Sequence, residues 1–408
     1  MYDVIIIGGG AAGLFLAANI SGKRVLLLEG SSQVGRKILI TGGGMCNLTN
    51  NKETSSFLKH FGNNRQSNFL KPAILNFPTQ KTRLWFESHG LPLTEREDGK
   101  VFPSCLQARA VVEILEHEAS RNRVEVRTSA KVTSLQKDEE SNCYIVGTER
   151  EQFQARTVVL TTGGMSYPTT GSDGSGYALA KMLGHSIVSP SPALVAVSVT
   201  DYAFTSLAGN SIRDSLVEFF HKDEAKRYNQ ATGDLLFTHD GLSGPVILNN
   251  SGTIRKGDQI RASLLPCSNK EEQKRVLTEL FFDNLKKQIY TLLKGEGIIA
   301  HLAEQLLHNL GLTTQDTCAN IPKEKRKALL ELLTAYPFTV SGKKGFNAAM
   351  VTSGGVGLDE VDRKTMESKL HKGLFFCGEV LDIDGNTGGY NLQAAFSTAR
   401  LAADTIQK

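Results

Sequence analysis

The residues with the plainest chemistry stand at the start of the chain. Gly8, Gly10 and Gly13 form G-x-G-x-x-G directly after the apolar run Val4–Ile7. In this spacing the first glycine permits a tight turn, the second lets a pyrophosphate approach the backbone, and the third lets a helix pack closely on a sheet. Ala11 and Ala12 open that helix, where free N–H groups and the macrodipole favour phosphate charge. Glu29 closes the next apolar run about 20 residues further on and is followed by Gly30. A carboxylate there accepts hydrogen bonds from ribose hydroxyls and repels a 2′-phosphate. The pattern predicts a bound dinucleotide.

The other end of the chain decides which one. Gly373–Cys377 reads as a buried strand, followed by Gly378 and Glu379. Then come Gly388, Gly389, Tyr390 and Asn391, and an apolar helix over Leu392–Ala403. In FAD enzymes of the glutathione-reductase type, a late strand–glycine–acid segment takes the ribitol chain. The next helix start faces the flavin pyrimidine ring, where backbone N–H groups stabilise the negative charge of reduced flavin. Asn391 is a candidate cap for that helix. The expected cofactor is FAD. There is no second G-x-G-x-x-G, so NADH or NADPH is expected to dock only transiently as reductant.

Two further glycine clusters fit this cofactor. The loop carrying Lys37, Thr41, Gly42, Gly43, Gly44, Cys46 and Asn47 is expected to run along the dinucleotide. Val158–Leu160 runs into Thr161, Thr162, Gly163 and Gly164, which should pass over the adenine side, with Val132 as a backbone contact to adenine. For alkene reduction the flavin carries the hydride, and a protein group must supply a proton. Cys46, His239 and Tyr390 are the candidate donors, with Tyr167 as a further phenol. Each has a plainer role open to it: a small buried residue for Cys46, a capping or core histidine for His239, apolar packing for the tyrosines. The six cysteines form no C-x-x-C. That argues against disulfide exchange and against a structural zinc site, and no metal is expected.

These residues need elements to hold them. Val4–Ile7, Ala11–Ile20 and Arg24–Leu28 read as a βαβ unit. Residues 31–80 read as loops. Leu106–Ser120 and Gly174–Leu183 read as helices, with short strands between Val124 and Leu160. Ser189–Pro192 alternates serine and proline and reads as a linker. Residues 194–265 are strand-like, and Glu271–Tyr336 is helical. After Pro337 the glycine-rich α/β texture returns. The expected fold is α/β: a Rossmann-like FAD-binding domain over 1–190 and 337–408, interrupted by a β-rich insertion over 191–268 and a helical segment over 269–336.

With 39 glycines and a formal charge of +4 in 408 residues, the chain has the composition of a globular protein without a strong basic field. The basic pairs Arg255-Lys256, Lys286-Lys287 and Lys343-Lys344, with Lys323–Lys327, are candidate phosphate contacts or ordinary solvated faces. No signal-like or membrane-length apolar stretch is seen, so a cytoplasmic protein without a membrane partner is expected. Oligomeric state is not legible.

Four spaced segments carry a closer likeness: Lys37–Asn50, Leu236–Leu248, Ala349–Gly357 and Thr365–Ala395. Together they resemble the BaiN/RdsA-type family of FAD-dependent flavoproteins. The resemblance implies a glutathione-reductase-like FAD domain with an inserted β-barrel and helical segment. It also implies reduction of carbon–carbon double bonds, in steroid-like bile-acid intermediates or in ribosomal RNA uridine, or else amine oxidation. Two departures stand out. Met45 occupies a position where the family usually has Arg, which removes a guanidinium able to hold phosphate or carboxylate. Thr398 and Ala403 replace small glycines of the last helix, an exchange expected to affect packing only. The reading is an FAD-dependent reductase of an activated C=C bond acting on RNA or a small molecule. A flavin amine oxidase and an RNA-associated flavin protein without turnover are the alternatives.

Overall fold

The computed structural model describes every residue except Asn63. The chain divides into two compact units, Met1–Ala193 with Phe346–Lys408, and Leu194–Gly345.

The first unit opens with β1 (Tyr2–Ile7), α1 (Ala11–Ala17) and β2 (Val25–Leu28). Every residue of β2 is buried, which is why the run is wholly apolar rather than alternating. Next come α2 (Arg36–Ile40), β3 (Thr49–Asn50), α3 (Thr54–Phe57), α4 (Asn64–Asn76) and α5 (Thr79–Ser88). The loops expected over 31–80 are thus largely helical, apart from Asn63, which lies outside the described residues. The sequence hid α4 because it is polar and contains Pro72. Burial of Phe69, Leu70, Ala73 and Ile74 along one face outweighs that low propensity.

Then follow β4 (Leu93–Glu95), β5 (Lys100–Pro103), α6 (Ala108–Arg121), β6 (Glu125–Arg127), β7 (Val132–Asp138), β8 (Cys143–Thr148), β9 (Gln152–Leu160), α7 (Ser175–Met182) and β10 (Ile187–Ala193). The predicted Ser-Pro linker is therefore a strand.

The second unit contains β11 (Val197–Val199), β12 (Ser211–Phe220), β13 (Arg227–Phe237), β14 (Gly241–Ser243), α8 (Pro245–Leu248) and β15 (Gln259–Ala262). After these come α9 (Lys270–Asp283), α10 (Ile289–Gly295), α11 (Ala300–Asn309), α12 (Lys323–Ala335) and β16 (Tyr336–Lys343). Strands β11, β14, β13, β12, β15 and β16 close into a barrel. Strand β16 pairs with both β15 and β11, so it is the closing strand. The return to the first unit expected at 337 therefore falls too early. The helices are not a separate body either. Val217, Phe219 and Phe338 of the barrel share one buried cluster with Leu277, Leu293 and Leu306 of the helices.

Back in the first unit, β17 (Val351–Val356) pairs antiparallel with β10. That pairing is what makes residues 187–193 extended, and their prolines sit in a two-stranded ribbon that tolerates them. The chain ends with β18 (Leu374–Phe376) and α13 (Tyr390–Ile406).

The main sheet has seven strands, ordered β6-β2-β1-β9-β8-β7, with β18 also on β9. One edge of β9 takes β1. The other is shared, with β8 along its first half and β18 along its last. Strands β6, β2, β1, β9 and β18 are mutually parallel.

A buried polar knot secures the carboxyl-terminal part of this unit. His185 places Nδ1 3.2 Å from Glu360 Oε2 and Nε2 2.9 Å from Ser368 Oγ. The Ser368 hydroxyl accepts the N–H groups of Leu370 and His371, leaving its proton for His185 Nε2. Burial pushes the imidazole below its ordinary 6.5, against the opposing pull of Glu360. The unfolded chain then takes up this proton first as pH falls. The contribution of His185 to stability is complete above about pH 6.5 and is lost progressively below it. Thermal unfolding of wild type and His185→Gln checks this: the gap between them should be widest near neutral pH and shrink toward about pH 5.

Candidate functional site

Register brings the glycine clusters of both chain ends together. Ile7 is level with Leu28 on one side and Leu160 on the other, and Leu160 is level with Phe376. The next residues along are Gly8, Glu29, Thr161 and Cys377, so four parallel strands end side by side. Crevices outside such carboxyl ends are where open α/β sheets bind ligands.

The turn after β1 is built on backbone contact. A Cβ on Gly13 would lie 1.9 Å from the Gly8 carbonyl oxygen, so α1 can sit this close only with glycine there. Gly10 differs: a Cβ on it would meet nothing within 4 Å. Its open face, between β1 and α1, is the room that a pyrophosphate requires. Glu29 Oε2 accepts the Gly9 N–H at 2.8 Å and Oε1 accepts the Ser31 N–H at 2.7 Å, so the carboxylate is aimed by the loop it serves. Ala130 donates its N–H to the Glu29 carbonyl, which brings the start of β7 with Val132 to the same edge. Gly30 packs on Lys131.

From the other terminus, Gly378 has φ +76, and a Cβ there would come within 2.9 Å of the Ala12 Cβ. The last strand thus ends against the first helix. Thr398 holds it in place: its buried hydroxyl accepts the Gly378 N–H at 3.0 Å and donates to the Ala394 carbonyl at 2.7 Å. The exchange at 398 is therefore a polar tie and not a packing change alone. Gly389, with φ +88, would carry a Cβ only 2.5 Å from the Thr49 carbonyl oxygen. With its amide oriented to satisfy both ends, Asn47 accepts the Gly389 N–H at 3.0 Å and donates to the Thr49 and Val101 carbonyls. The start of α13 is so locked to the early glycine loop. Asn391 does not cap this helix, whose N-cap is Gly389. Its amide instead clamps the preceding loop, accepting from Gly385 N and donating to Gly385 O, both at 2.8 Å. Gly388 packs on the Tyr390 ring.

The polar centre is a half-buried ion pair, Lys37 Nζ to Glu379 Oε2 at 2.7 Å. Lys37 also donates to Ser166 Oγ at 2.5 Å. Glu379 Oε1 accepts from Ser166 Oγ at 2.9 Å and from the Thr352 N–H at 2.8 Å. Thr352 Oγ1 in turn accepts the Met165 and Ser166 N–H groups. Gly164 is small because Thr352 fills the space beside it, and Gly163 turns against Ser172. Thr162 Oγ1 is buried without a hydrogen-bond partner among the described residues. From the sequence Ser166 reads only as part of Gly163–Pro168, a stretch expected to line the pocket, and Thr352 has no role of its own. They lie on either side of the inserted unit, and no local pattern links them.

The early loop, Thr41–Gly44, has Gly42 and Gly43 in left-handed conformation, and Gly43 faces open space. Cys46 is different. It is fully buried, and burial pushes its thiol up to about 12. It is a core residue at the foot of the loop. Position 45 lacks a cation, yet one stands beside it: an Arg96 Nη lies 3.3 Å from Met45 Sδ, and its guanidinium stacks over Phe102 at 4.1 Å.

Tyr390 opens α13, is 3% exposed, and stacks on His60 with ring centroids 4.3 Å apart. Burial pushes its phenol up to about 12, so it carries its proton at neutral pH. Tyr167 lies in the left-handed region after Ser166. His239 is exposed in the turn between β13 and β14 of the second unit, whereas Cys46 and Tyr390 belong to the first. Of the basic pairs, Lys343 turns to the Ser251 carbonyl and Lys344 pairs with Asp240. No group of His, Cys, Asp and Glu suited to a metal ion occurs among the described residues. No helix among them is long and apolar enough to cross a membrane.

Comparison with known proteins gives the same frame. Residues 2–405 match the family described as HI0933-like protein Rossmann domain. The ribosomal RNA dihydrouridine synthase of Haemophilus influenzae is 32% identical over 411 residues, covering 99% of this chain and 98% of that protein. The 3-dehydro-bile acid delta(4,6)-reductase of Clostridium scindens is 32% identical over 417 residues, covering 98% of each. Among solved structures, the 3-ketosteroid-delta4-(5alpha)-dehydrogenase of Rhodococcus jostii RHA1 shares the fold, with TM-score 0.53 and 16% identity, over 100% of this chain and 97% of that one.

The tie between the last strand tip and the final helix is testable without any ligand. Thr398→Val keeps the shape but strands the buried Gly378 N–H. It should lower unfolding stability by about 1–3 kcal/mol in urea titrations. An unchanged midpoint would mean that the hydroxyl bears no such load.

Proposed function

The chain belongs to the HI0933-like Rossmann family, whose members are FAD-dependent oxidoreductases, and on that footing we propose that it reduces a C=C bond conjugated to a carbonyl, with uridine in ribosomal RNA as the leading substrate. The observation that carries the flavin reading is the level ending of β2, β1, β9 and β18, with Glu29, the open Gly10 and Gly378 at their tips.

The residues present suit FAD. Gly10 and Gly43 leave room for backbone approach to the pyrophosphate, and Glu29 offers carboxylate oxygens to the adenosine ribose. Lys37, Glu379 and Ser166 form a preorganised polar cluster suited to the ribitol hydroxyls. The first-turn N–H groups of α13, from Tyr390 onward, would stabilise charge at the ring's pyrimidine end. When bound, the flavin supplies the hydride. The chain's own part is to orient the alkene, exclude water and provide a proton to the carbon that does not receive hydride. Tyr390 suits that last role: its phenol stays protonated at neutral pH, and stacking on His60 fixes the ring.

The substrate class rests on the relatives. Dihydrouridine differs from uridine by saturation of one ring C=C bond beside a carbonyl, and a delta(4,6)-reductase saturates ring double bonds of a 3-oxo steroid skeleton. The two activities share one chemistry on different carriers. Both named relatives are equally similar to this chain. A second relative named ribosomal RNA dihydrouridine synthase, from Escherichia coli, favours the RNA carrier.

Two experiments decide this. First, a Cβ on Gly10 meets nothing within 4 Å, so Gly10→Val should fold yet purify colourless. Yellow Gly10→Val protein with full flavin would displace the cofactor from this cradle. Second, holoprotein reduced anaerobically by NADH or NADPH is mixed with unmodified ribosomal RNA transcript or with a 3-oxo-4-ene steroid. Reoxidation of the flavin with dihydrouridine appearing in the RNA, read by mass spectrometry of the digest, is expected. Reoxidation by the steroid alone moves the substrate to small enones, and flavin bleaching only by amines makes the protein an oxidase. Tyr390→Phe should slow the chemical step at least about tenfold while leaving flavin reduction by nicotinamide intact.

A further inference from the structure

The first unit carries a further concave feature, whose lining includes none of the strand-tip residues. A cavity of about 520 Å³ opens between the first turns of α4 and the segment 358–369. Its floor is apolar: Phe69, Leu358 and Val361 are 5%, 3% and 1% exposed. Its rim is cationic, with Arg65, Arg363, Lys364 and Lys369 against the carboxylates Asp359 and Asp362.

Arg65 is paired, whereas Arg363, Lys364 and Lys369 are held but not neutralised. Arg65 pairs with Asp359 at 2.9 Å in an exposed bridge, worth little in water. Lys369 donates to the Asp359 backbone carbonyl at 2.8 Å, and Arg363 makes one 3.3 Å bond to the Asn68 carbonyl. Arg363, Lys364 and Lys369 form no ion pair among the described residues. The wall that bears them is preorganised. Asp362 N–H donates to the Glu367 carbonyl at 2.8 Å, and Met366, fully buried with φ +65, returns its N–H to Asp362 at 2.7 Å. The neighbouring residues Arg363 and Lys364 are therefore presented on a rigid turn.

An apolar floor including an aromatic ring, beneath a rim with an excess of positive charge, matches a nucleotide unit, which has a flat apolar face and a phosphate. The cavity is of the size that holds a small ligand or one such unit. It is also coupled to the candidate active site. Gln66, on the same turn of α4 as Arg65, donates to the Asp382 carbonyl and to Asp384 Oδ1, each at 3.1 Å. Those residues begin the loop that leads to Gly388 and α13.

We propose that this cavity is an anchoring subsite for the phosphodiester backbone of a single-stranded RNA segment, holding the strand while a neighbouring base reaches the site at the strand tips. The proposal rests on the RNA reading of the function. Arg363 and Lys364 take the phosphate, and the Phe69 floor receives the sugar or base beside it.

The test uses full-length holoprotein and a fluorescently labelled single-stranded RNA, followed by anisotropy across a salt series. The double variant Arg363→Gln/Lys364→Gln should bind about tenfold or more weakly, with a salt slope shallower by about 0.7 for each phosphate that no longer meets a cation. Its flavin content reports that the fold is kept. Asp359→Asn removes a competing carboxylate, so it should tighten binding by about two- to threefold, a gain that misfolding cannot produce. Wild-type affinity and slope in the double variant would overturn the proposal. So would displacement of the RNA by uridine monophosphate or inorganic phosphate at equal concentration, which would assign the cavity to a free phosphate compound. If the variants behave as expected but wild-type protein forms no dihydrouridine in the bound RNA, the subsite stands and the reductase reading falls.

Discussion

The parallel pairing of β1, β9 and β18 is the constraint on which the remaining geometry depends. Parallel strands end at a common edge, and their register sets which residues share it. With Ile7, Leu28, Leu160 and Phe376 level, the residues just beyond them are delivered to one line. Nothing at that line is chosen independently. A slip of one residue in any of these strands would reverse its side chains and move its tip out of the row. Near their tips these strands are wholly apolar and buried on both faces, so side-chain alternation resists such a slip only weakly. The glycine contacts beyond the strand ends supply the specificity that alternation does not.

Those contacts explain why so much of the chain's glycine is at one place. Gly13 against the Gly8 carbonyl, Gly378 against Ala12 and Gly389 against the Thr49 carbonyl are three approaches of backbone to neighbour that a methyl group would block. Each joins an early segment to another or to the carboxyl terminus. Gly10 and Gly43 have the opposite environment, with open space where a Cβ would be. The first kind builds the cradle, and the second kind leaves it accessible. The polar ties follow the same logic: Lys37–Glu379 and Asn47–Gly389 bridge distant parts of the sequence at this edge, and Thr398–Gly378 fixes the last strand tip to the final helix.

The second unit serves a different physical end. Its six strands close on themselves, so no edge is left unpaired, and its helices share the barrel's core. That a strand, β16, closes the barrel after four helices is why the texture of the sequence placed a boundary too early. The prolines at 190 and 192 misled in the same way. They resemble punctuation, yet β10 is extended because β17 lies beside it. Helix α4 is the third instance, since polar residues and Pro72 conceal a buried face that only its packing partners reveal.

What the sequence determined by itself was local and backbone-driven. A turn needing glycine at fixed offsets, a carboxylate at a strand end and a fully apolar strand are each dictated by sterics and burial within a few residues. They are legible wherever they occur, which is why Gly8–Gly13, Glu29 and Gly378–Glu379 could be read directly. The tertiary structure alone decided what meets across the chain. It drew Ser166 and Thr352 to Glu379, turned Cys46 into the core, assigned His239 to the other unit and set Thr398 to hold a strand tip. Side-chain partners separated by an inserted unit leave no spacing in the sequence, because the distance between them is set by sheet register and not by chain length.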